Sequence, residues 1–376
     1  MKYLFILGRN VKLSEAEVLA YFERKENKVK SFFLRRNGLL VEVEKPLEKE
    51  AVNSFGGVIA IGEVLIEGNL NSKLEQVNLY SGTKNNFTYV LWDFAEEKTN
   101  DSISLYLKAR FKEEKFKASE KSLSGRMKLQ SGKIVSKISS KLVDEKYFVF
   151  EEKTEDEKKQ KFFGKIFAEC NYEELEKRDM NKPVRREELA ISPRLAKILI
   201  NLSRVKKGPL VDAFCGIGVI LSETLLQGIP VIGVDRDEKA IIGAKKNLAW
   251  GKFNQRDYQL FVNNSKTVRT KEAEVLVSEP DLGKTWKKVP TDGMIKEQMK
   301  DFEDLMIGVL NNFKQRVSGR IVFTAPFILT KKKGRRTGCD IERILEYTKL
   351  KLVEGFPIPE FREEQVVGRE IFILEK

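Results

Sequence analysis

The sequence predicts an α/β fold whose C-terminal half is a doubly wound parallel sheet, preceded by smaller α+β units. Three observations carry this expectation. From about residue 190, short apolar runs alternate with helical stretches, the rhythm that builds a parallel sheet. The first of these runs ends in an acid and turns through Gly216-Ile217-Gly218 into a helix, and glycines there let the backbone approach a ligand closely. A chain of 376 residues also exceeds one ordinary domain.

In chain order, Tyr3 to Leu7 reads as a strand. The apolar run Met1 to Leu7 is too short for a signal peptide, so the expected location is the cytoplasm. Ser14 and Glu17 fit a capping box that opens a helix through Ala20-Tyr21-Phe22. Phe32 to Val43 reads as a hairpin turning at Arg36-Asn37-Gly38, and Phe55-Gly56-Gly57-Val58 leads into a strand through Leu65. A second unit begins near residue 75, with a strand at Phe87 to Phe94, a basic helix at Leu105 to Phe116 and a strand at Tyr147 to Phe150. The mixed-charge run Glu151 to Lys161 reads as a solvated turn. Further strands are expected at Leu210-Val211, Val231 to Val234, Tyr258 to Val262, Glu274 to Val277, Arg320 to Thr324, Lys351 to Val353 and Glu370 to Leu374.

Composition narrows the chemistry. A hydrophobic content of 41% suffices for real cores, yet no apolar stretch is long enough to span a bilayer. The chain has no histidine, which excludes Ser-His-Asp and Cys-His machinery and argues against a metal centre. Its three cysteines, Cys170, Cys215 and Cys339, are too scattered for a disulfide framework. A net charge of +13 favours a polyanionic partner. The segment Lys108 to Lys141 holds 11 Lys/Arg against 3 Asp/Glu, so Lys108, Arg110, Lys112, Arg126 and Lys128 are candidate phosphate contacts. A second basic run, Lys331-Lys332-Lys333-Gly334-Arg335-Arg336, follows the fifth strand of the C-terminal sheet.

The most informative segment is Leu210 to Gly218. A dinucleotide fingerprint would need a third glycine where Leu221 stands, and a phosphate loop would need Gly-Lys-Ser/Thr; neither is present. The second strand ends in Asp235, 23 residues beyond Asp212, where a carboxylate can accept hydrogen bonds from both hydroxyls of a ribose. The third strand runs into Asn263-Asn264-Ser265, whose amide could read an adenine edge. Candidate cofactor residues are Asp212, Phe214, Cys215, Gly216, Gly218, Asp235, Arg236, Asn264 and Ser265.

The fourth strand ends Val277-Ser278-Glu279-Pro280-Asp281-Leu282-Gly283. With the Asp-x-Phe-Cys-Gly-x-Gly loop, it resembles the class-I S-adenosylmethionine-dependent amino-methyltransferases, whose loop reads Asp/Asn-Pro-Pro-Tyr-Gly. Arg178 to Arg185, then Ser192-Pro193-Arg194-Leu195-Ala196, is similar to the linker of THUMP-containing tRNA guanine-N2 methyltransferases. Leu7-Gly8-Arg9-Asn10 with Leu13-Ser14 and Ala16-Glu17 is similar to that family's opening.

The resemblance implies a ferredoxin-like domain at 1–72, a THUMP-type RNA-binding domain at 73–172, a linker at 173–190 and a seven-stranded Rossmann-like methyltransferase domain at 191–376. It implies S-adenosylmethionine as methyl donor and N2 of a tRNA guanine, near position 10, as acceptor. Glu279, Pro280 and Asp281 then form the catalytic loop. Glu279 replaces Asp or Asn, Asp281 the second Pro, and Leu282 the Tyr that stacks on the base. Glu279 and the Pro280 carbonyl can still accept hydrogen bonds from the amine, while Phe214 or Trp286 could supply stacking. Methyl transfer needs no strong base, so the missing histidine is no obstacle. Cys215 lies in the cofactor loop, which favours packing beneath the cofactor over a nucleophile. Two other readings stay open: an amino-methyltransferase on another base or nucleic acid, such as adenine N6, and a tRNA-binding protein without turnover. A monomer is expected, and an activating partner subunit is left open.

Overall fold

A computed structural model describes all residues except 124, 138–142, 154–158, 187–190, 285, 287 and 333. Lys333, Lys141, the middle of the run 151–161 and the end of the expected linker therefore lie outside the described residues. The chain divides into two compact units, Met1–Glu15, Glu26–Asn53 and Gly57–Cys170 in one, Ala16–Lys25, Ser54–Gly56 and Asn171–Lys376 in the other. Among the described residues no helix is long and apolar enough to cross a membrane.

The first unit is built on one sheet. Its strands are β1 (Lys2–Leu7), β2 (Val29–Arg35), β3 (Gly38–Val43), β4 (Val58–Glu67), β5 (Asn86–Phe94), β6 (Lys117–Glu120), β9 (Glu145–Lys153) and β10 (Lys159–Glu169). They lie in the order β2-β3-β1-β4-β10-β9-β5-β6, beside a separate hairpin of β7 (Gly125–Lys128) and β8 (Ile134–Lys137). Strands from before residue 70 and after residue 85 join in this one sheet. One face buries Leu4, Ile6, Trp92, Phe148 and Phe162; Tyr80, Phe87, Tyr89 and Phe111 belong to another cluster.

Three expectations change here. Helix α1 (Val11–Arg24) starts before Ser14. Asn10 caps it, its side chain accepting from the Leu13 amide at 3.3 Å, and the Ser14 hydroxyl bonds back to the Asn10 carbonyl at 2.8 Å. After the short helix α2 (Leu70–Lys73), helix α3 (Glu97–Glu113) begins well ahead of Leu105, because Thr99, Ile103, Leu107 and Phe111 repeat every four residues and are buried. The described ends of Glu151–Lys161 are strand, with Glu151 and Glu152 buried.

The second unit contains α4 (Tyr172–Met180), α5 (Pro193–Leu202), α6 (Val219–Leu225), α7 (Glu238–Trp250), α8 (Asp292–Phe313) and α9 (Ile341–Thr348). Helix α4 occupies much of the expected linker. The strands are β11 (Leu210–Asp212), β12 (Val231–Asp235), β13 (Tyr258–Val262), β14 (Val275–Ser278), β15 (Ile321–Leu329), β16 (Arg336–Thr337), β17 (Lys351–Leu352), β18 (Ile358–Glu360) and β19 (Val367–Glu375). Seven lie in the order β13-β12-β11-β14-β15-β19-β17, with β16 on β15 and β18 on β19. β11 to β15 are parallel, and β19 runs antiparallel to β15 and β17. The seven strands expected from sequence are all present. The chain steps outward from β11 to β13 and returns to β14 on the other side, so the ends of β11 and β14 flank the switch point where such sheets hold ligands.

A buried polar hub ties this unit together. Asn201 is fully buried on α5; its amide donates to Glu17 Oε1 and the Ser54 carbonyl, both at 2.9 Å, and accepts from Arg24 Nη1 at 2.9 Å. Arg24 also reaches Gln227 at 2.6 Å and the Val205 carbonyl. Burial lowers the Arg24 pKa to about 10, so its bonds compensate an unfavourable position. Asn201→Ala leaves buried charged partners short of bonds and is expected to destabilise the protein by about 2–3 kcal/mol. Thermal denaturation beside wild type checks this; an unchanged midpoint would contradict the role given to the hub.

Candidate active site

The site is assembled where β11, β12 and β14 end. Ser278, the last residue of β14, is completely buried, although it follows three apolar residues on a core strand. Its hydroxyl donates to Asp212 Oδ1 and accepts from the amides of Ala213 at 2.8 Å and Phe214 at 3.2 Å. Asp212 also accepts from the Phe214 amide at 3.1 Å. Burial pushes the Asp212 carboxyl up to about 7; the Ser278 hydroxyl and Phe214 amide oppose this, and Asp235 and Glu279 add to it. Asp212 therefore supports the turn from within.

The glycine turn follows. Gly216 has φ +50° and Gly218 φ +84°, both left-handed, and Gly218 is the N-cap of α6. A Cβ placed on Gly216 would meet nothing within 4 Å, so the space over the turn is open. Asp235 stands at its edge, its two oxygens accepting from the amides of Gly216 and Asp237, each at 2.9 Å. Phe214 is half-buried against the core of the sheet and Arg236 is exposed. Cys215 is buried, and burial, with Asp212 and Asp235 nearby, raises its thiol pKa well above the ordinary value. That environment suits packing and opposes a thiolate.

At the third strand, Asn264 is exposed and its side-chain oxygen accepts from the Lys266 amide at 2.9 Å. Ser265 is buried with its hydroxyl on the Ala213 carbonyl, which places it in support of the turn.

Beyond Ser278, Glu279 carries a side chain only 8% exposed, ion-paired with Arg369 of β19. Burial raises the Glu279 pKa and Arg369 lowers it. Pro280 is buried; Asp281 is exposed and accepts from the Gly283 amide at 2.9 Å. Gln298 of α8 shapes the rest of the loop, donating to the Leu282 carbonyl at 2.7 Å and accepting from the Lys284 amide at 3.3 Å and Trp286 Nε1 at 3.2 Å. Asn247 of α7 pins the entering segment, exchanging two 3.0 Å bonds with the Val184 backbone and reaching the Ile217 carbonyl at 3.0 Å. Arg178 pairs with Glu174 at 2.7 Å and with buried Glu223 at 3.3 Å, a linker salt bridge.

The basic candidates separate. In the first unit Lys108, Lys112, Arg126 and Lys128 are exposed; Lys108 also pairs with Glu120 at 2.9 Å, and half-buried Arg110 pairs with Glu114 at 2.5 Å. In the second, Lys331, Lys332 and Arg335 are exposed. Arg336 is a correction: it stacks on Phe361 at 4.3 Å and spends its guanidinium on the carbonyls of Phe327, Arg362, Gln365 and Val366, so it braces a loop and is withdrawn from any phosphate.

Ser278, Arg369, Gln298 and Asn247 were missed by sequence reasoning. Only Ser278 carried a signal, as a polar residue closing an apolar strand.

The strand order, with its antiparallel penultimate position, defines the class-I methyltransferase fold. Of solved structures, TrmN from Thermus thermophilus shares it at TM-score 0.50 and 14% identity, with all of both chains covered. No protein-family model matches the chain. The chain is 34% identical over 96 residues to the tRNA (guanine(10)-N2)-dimethyltransferase of Methanothermobacter thermautotrophicus, covering 25% of this chain and 28% of that protein. It is 28% identical over 168 residues to the protein of the same name from Pyrococcus abyssi, covering 44% and 45%. The matches thus span less than half the length of these relatives.

The elevated Asp212 pKa has a testable consequence. A free carboxyl ionises near 3.8 and this one near 7, so between those values the native state binds more protons than the unfolded chain. Stability from this group is complete below about pH 4 and lost as pH rises through about 7. Asp212→Asn removes the titration, and its melting temperature is expected to fall less than that of wild type from about pH 5 to about pH 8. Parallel curves would contradict the assignment.

Proposed function

We propose that this chain is an enzyme that transfers a methyl group from S-adenosylmethionine to the exocyclic N2 amine of a guanine in tRNA. The observation that carries the reading is the convergence at three neighbouring strand ends of an open glycine turn, a carboxylate at its edge and an acceptor carboxylate on the next loop. The names of the matched relatives support the choice of base and RNA.

The donor fits the residues present. The space over Gly216 accepts a ligand against backbone, and Asp235 offers carboxylate oxygens of the kind that bind ribose hydroxyls. Asn264 stands at the third strand end for the adenine. Bound there, S-adenosylmethionine supplies an electrophilic methyl group. The chain's own part is positioning. Glu279 and the Pro280 carbonyl would accept hydrogen bonds from the amine and turn its lone pair toward the methyl. The N–C bond would form as the S–C bond of the donor breaks to leave S-adenosylhomocysteine, and the nitrogen, once cationic, would lose its proton to solvent. Placement matters more than basicity, since an error of about 1 Å can cost around a hundredfold.

The domains read as ferredoxin-like at 1–72 and THUMP-type at 73–172, recruiting tRNA by shape and charge. Lys108, Lys112, Arg126, Lys128, Lys331, Lys332 and Arg335 are exposed cations proposed to meet its phosphates. A cytoplasmic location and a monomeric state remain part of the proposal.

Incubation with radiolabelled S-adenosylmethionine and unmodified tRNA, followed by nucleoside analysis, tests the reading. Label is expected in N2-methylated guanosine, and Glu279→Ala should lower the rate about a hundredfold. Cofactor and tRNA binding without label would favour a binding protein; label in methylated adenosine would reassign the base.

A further inference from the structure

We propose that Arg369 is a positioning residue that holds the Glu279 carboxylate as the acceptor for the substrate amine; this rests on the function proposed above. The register of the sheet puts it there. Ser278 at the end of β14 is level with Phe323 of β15, and β15 continues beyond that tip to Leu329. Arg369 on β19 lies opposite Pro326, three residues past that level, and so stands beside the loop that starts at Glu279. From there its Nε donates to Glu279 Oε1.

Glutamate is one methylene longer than the aspartate or asparagine expected at this position, and the ion pair gives that reach an anchor. A carboxylate so little exposed would take up a proton if left alone, because burial disfavours charge. A carboxylic acid would present an O–H toward an amine that needs an acceptor. The guanidinium stays charged, cannot act as a base, and bonds along a fixed direction. It therefore keeps Glu279 ionised and fixes the direction of its second oxygen. Asp212, whose charge also acts on this region, has a hydroxyl and an amide as its bonding partners, so Arg369 supplies the cationic partner Glu279 requires.

The test is a double-mutant cycle on methyl transfer to tRNA, comparing Arg369→Ala, Arg369→Lys, Glu279→Gln and Arg369→Ala combined with Glu279→Gln. Arg369→Ala should lower kcat about tenfold or more, with KM for tRNA and for S-adenosylmethionine within about twofold, and Arg369→Lys should recover part of the loss. In the Glu279→Gln background the Arg369 change should cost nothing further. Additive losses, or a rate unchanged or raised in Arg369→Ala, would overturn the proposal; the latter would mean that the pair sequesters Glu279. If Arg369→Ala does not fold, Arg369→Gln carries the same cycle. A wild type that transfers no methyl to any RNA would overturn the function reading itself, an outcome distinct from additivity in an active enzyme.

Discussion

A single buried hydroxyl joins two of the three strand ends on which the site is built. Ser278 closes β14, donates to Asp212 at the end of β11, and accepts from the first two amides of the turn that follows Asp212. Ser265, from the loop after β13, adds a bond to the Ala213 carbonyl. Three loops thereby leave the sheet from one hydrogen-bonded junction. Asp212, Ala213, Ser265 and Ser278 are buried, so a missing partner costs the desolvation of those that remain, about 1–3 kcal/mol. The glycine turn and the Glu279 loop are consequently fixed relative to each other, as the proposed methyl transfer, governed by placement, would require.

Three acids near this junction are managed differently. Asp212 is buried with a hydroxyl and an amide as partners and is pushed toward neutrality. Asp235 sits at the edge of the turn with backbone amides on both oxygens. Glu279 is buried against a guanidinium. Similar side chains thus serve as an internal brace, a candidate ligand acceptor and a candidate substrate acceptor, each set by its surroundings. No imidazole is needed for any of these tasks.

The C-terminal sheet was legible in the sequence because strands covered on both faces read as apolar runs, and because Gly216 and Gly218 occupy left-handed backbone that few residues tolerate. What escaped was long-range. Arg369 is 90 residues from Glu279, and Asn201 is 184 from Glu17. No local periodicity links such pairs. The same limit explains Arg336, which reads as one more cation in a basic run until its four carbonyl partners are known. At the N-terminus, Ser14 and Glu17 matched a capping box, but Asn10 took the cap and Glu17 was drawn to Asn201 and the Gly56 amide, a tertiary bond outweighing a local one.

The open turn at Gly216, edged by Asp235, is the proposed seat of the adenosyl group. Calorimetric titration with S-adenosylhomocysteine tests it most directly. Saturable one-site binding by wild type, weakened about tenfold or more in an Asp235→Ala variant that remains folded at the assay temperature, is the predicted result. Absence of binding by folded wild type, or equal affinity in the variant, would contradict it.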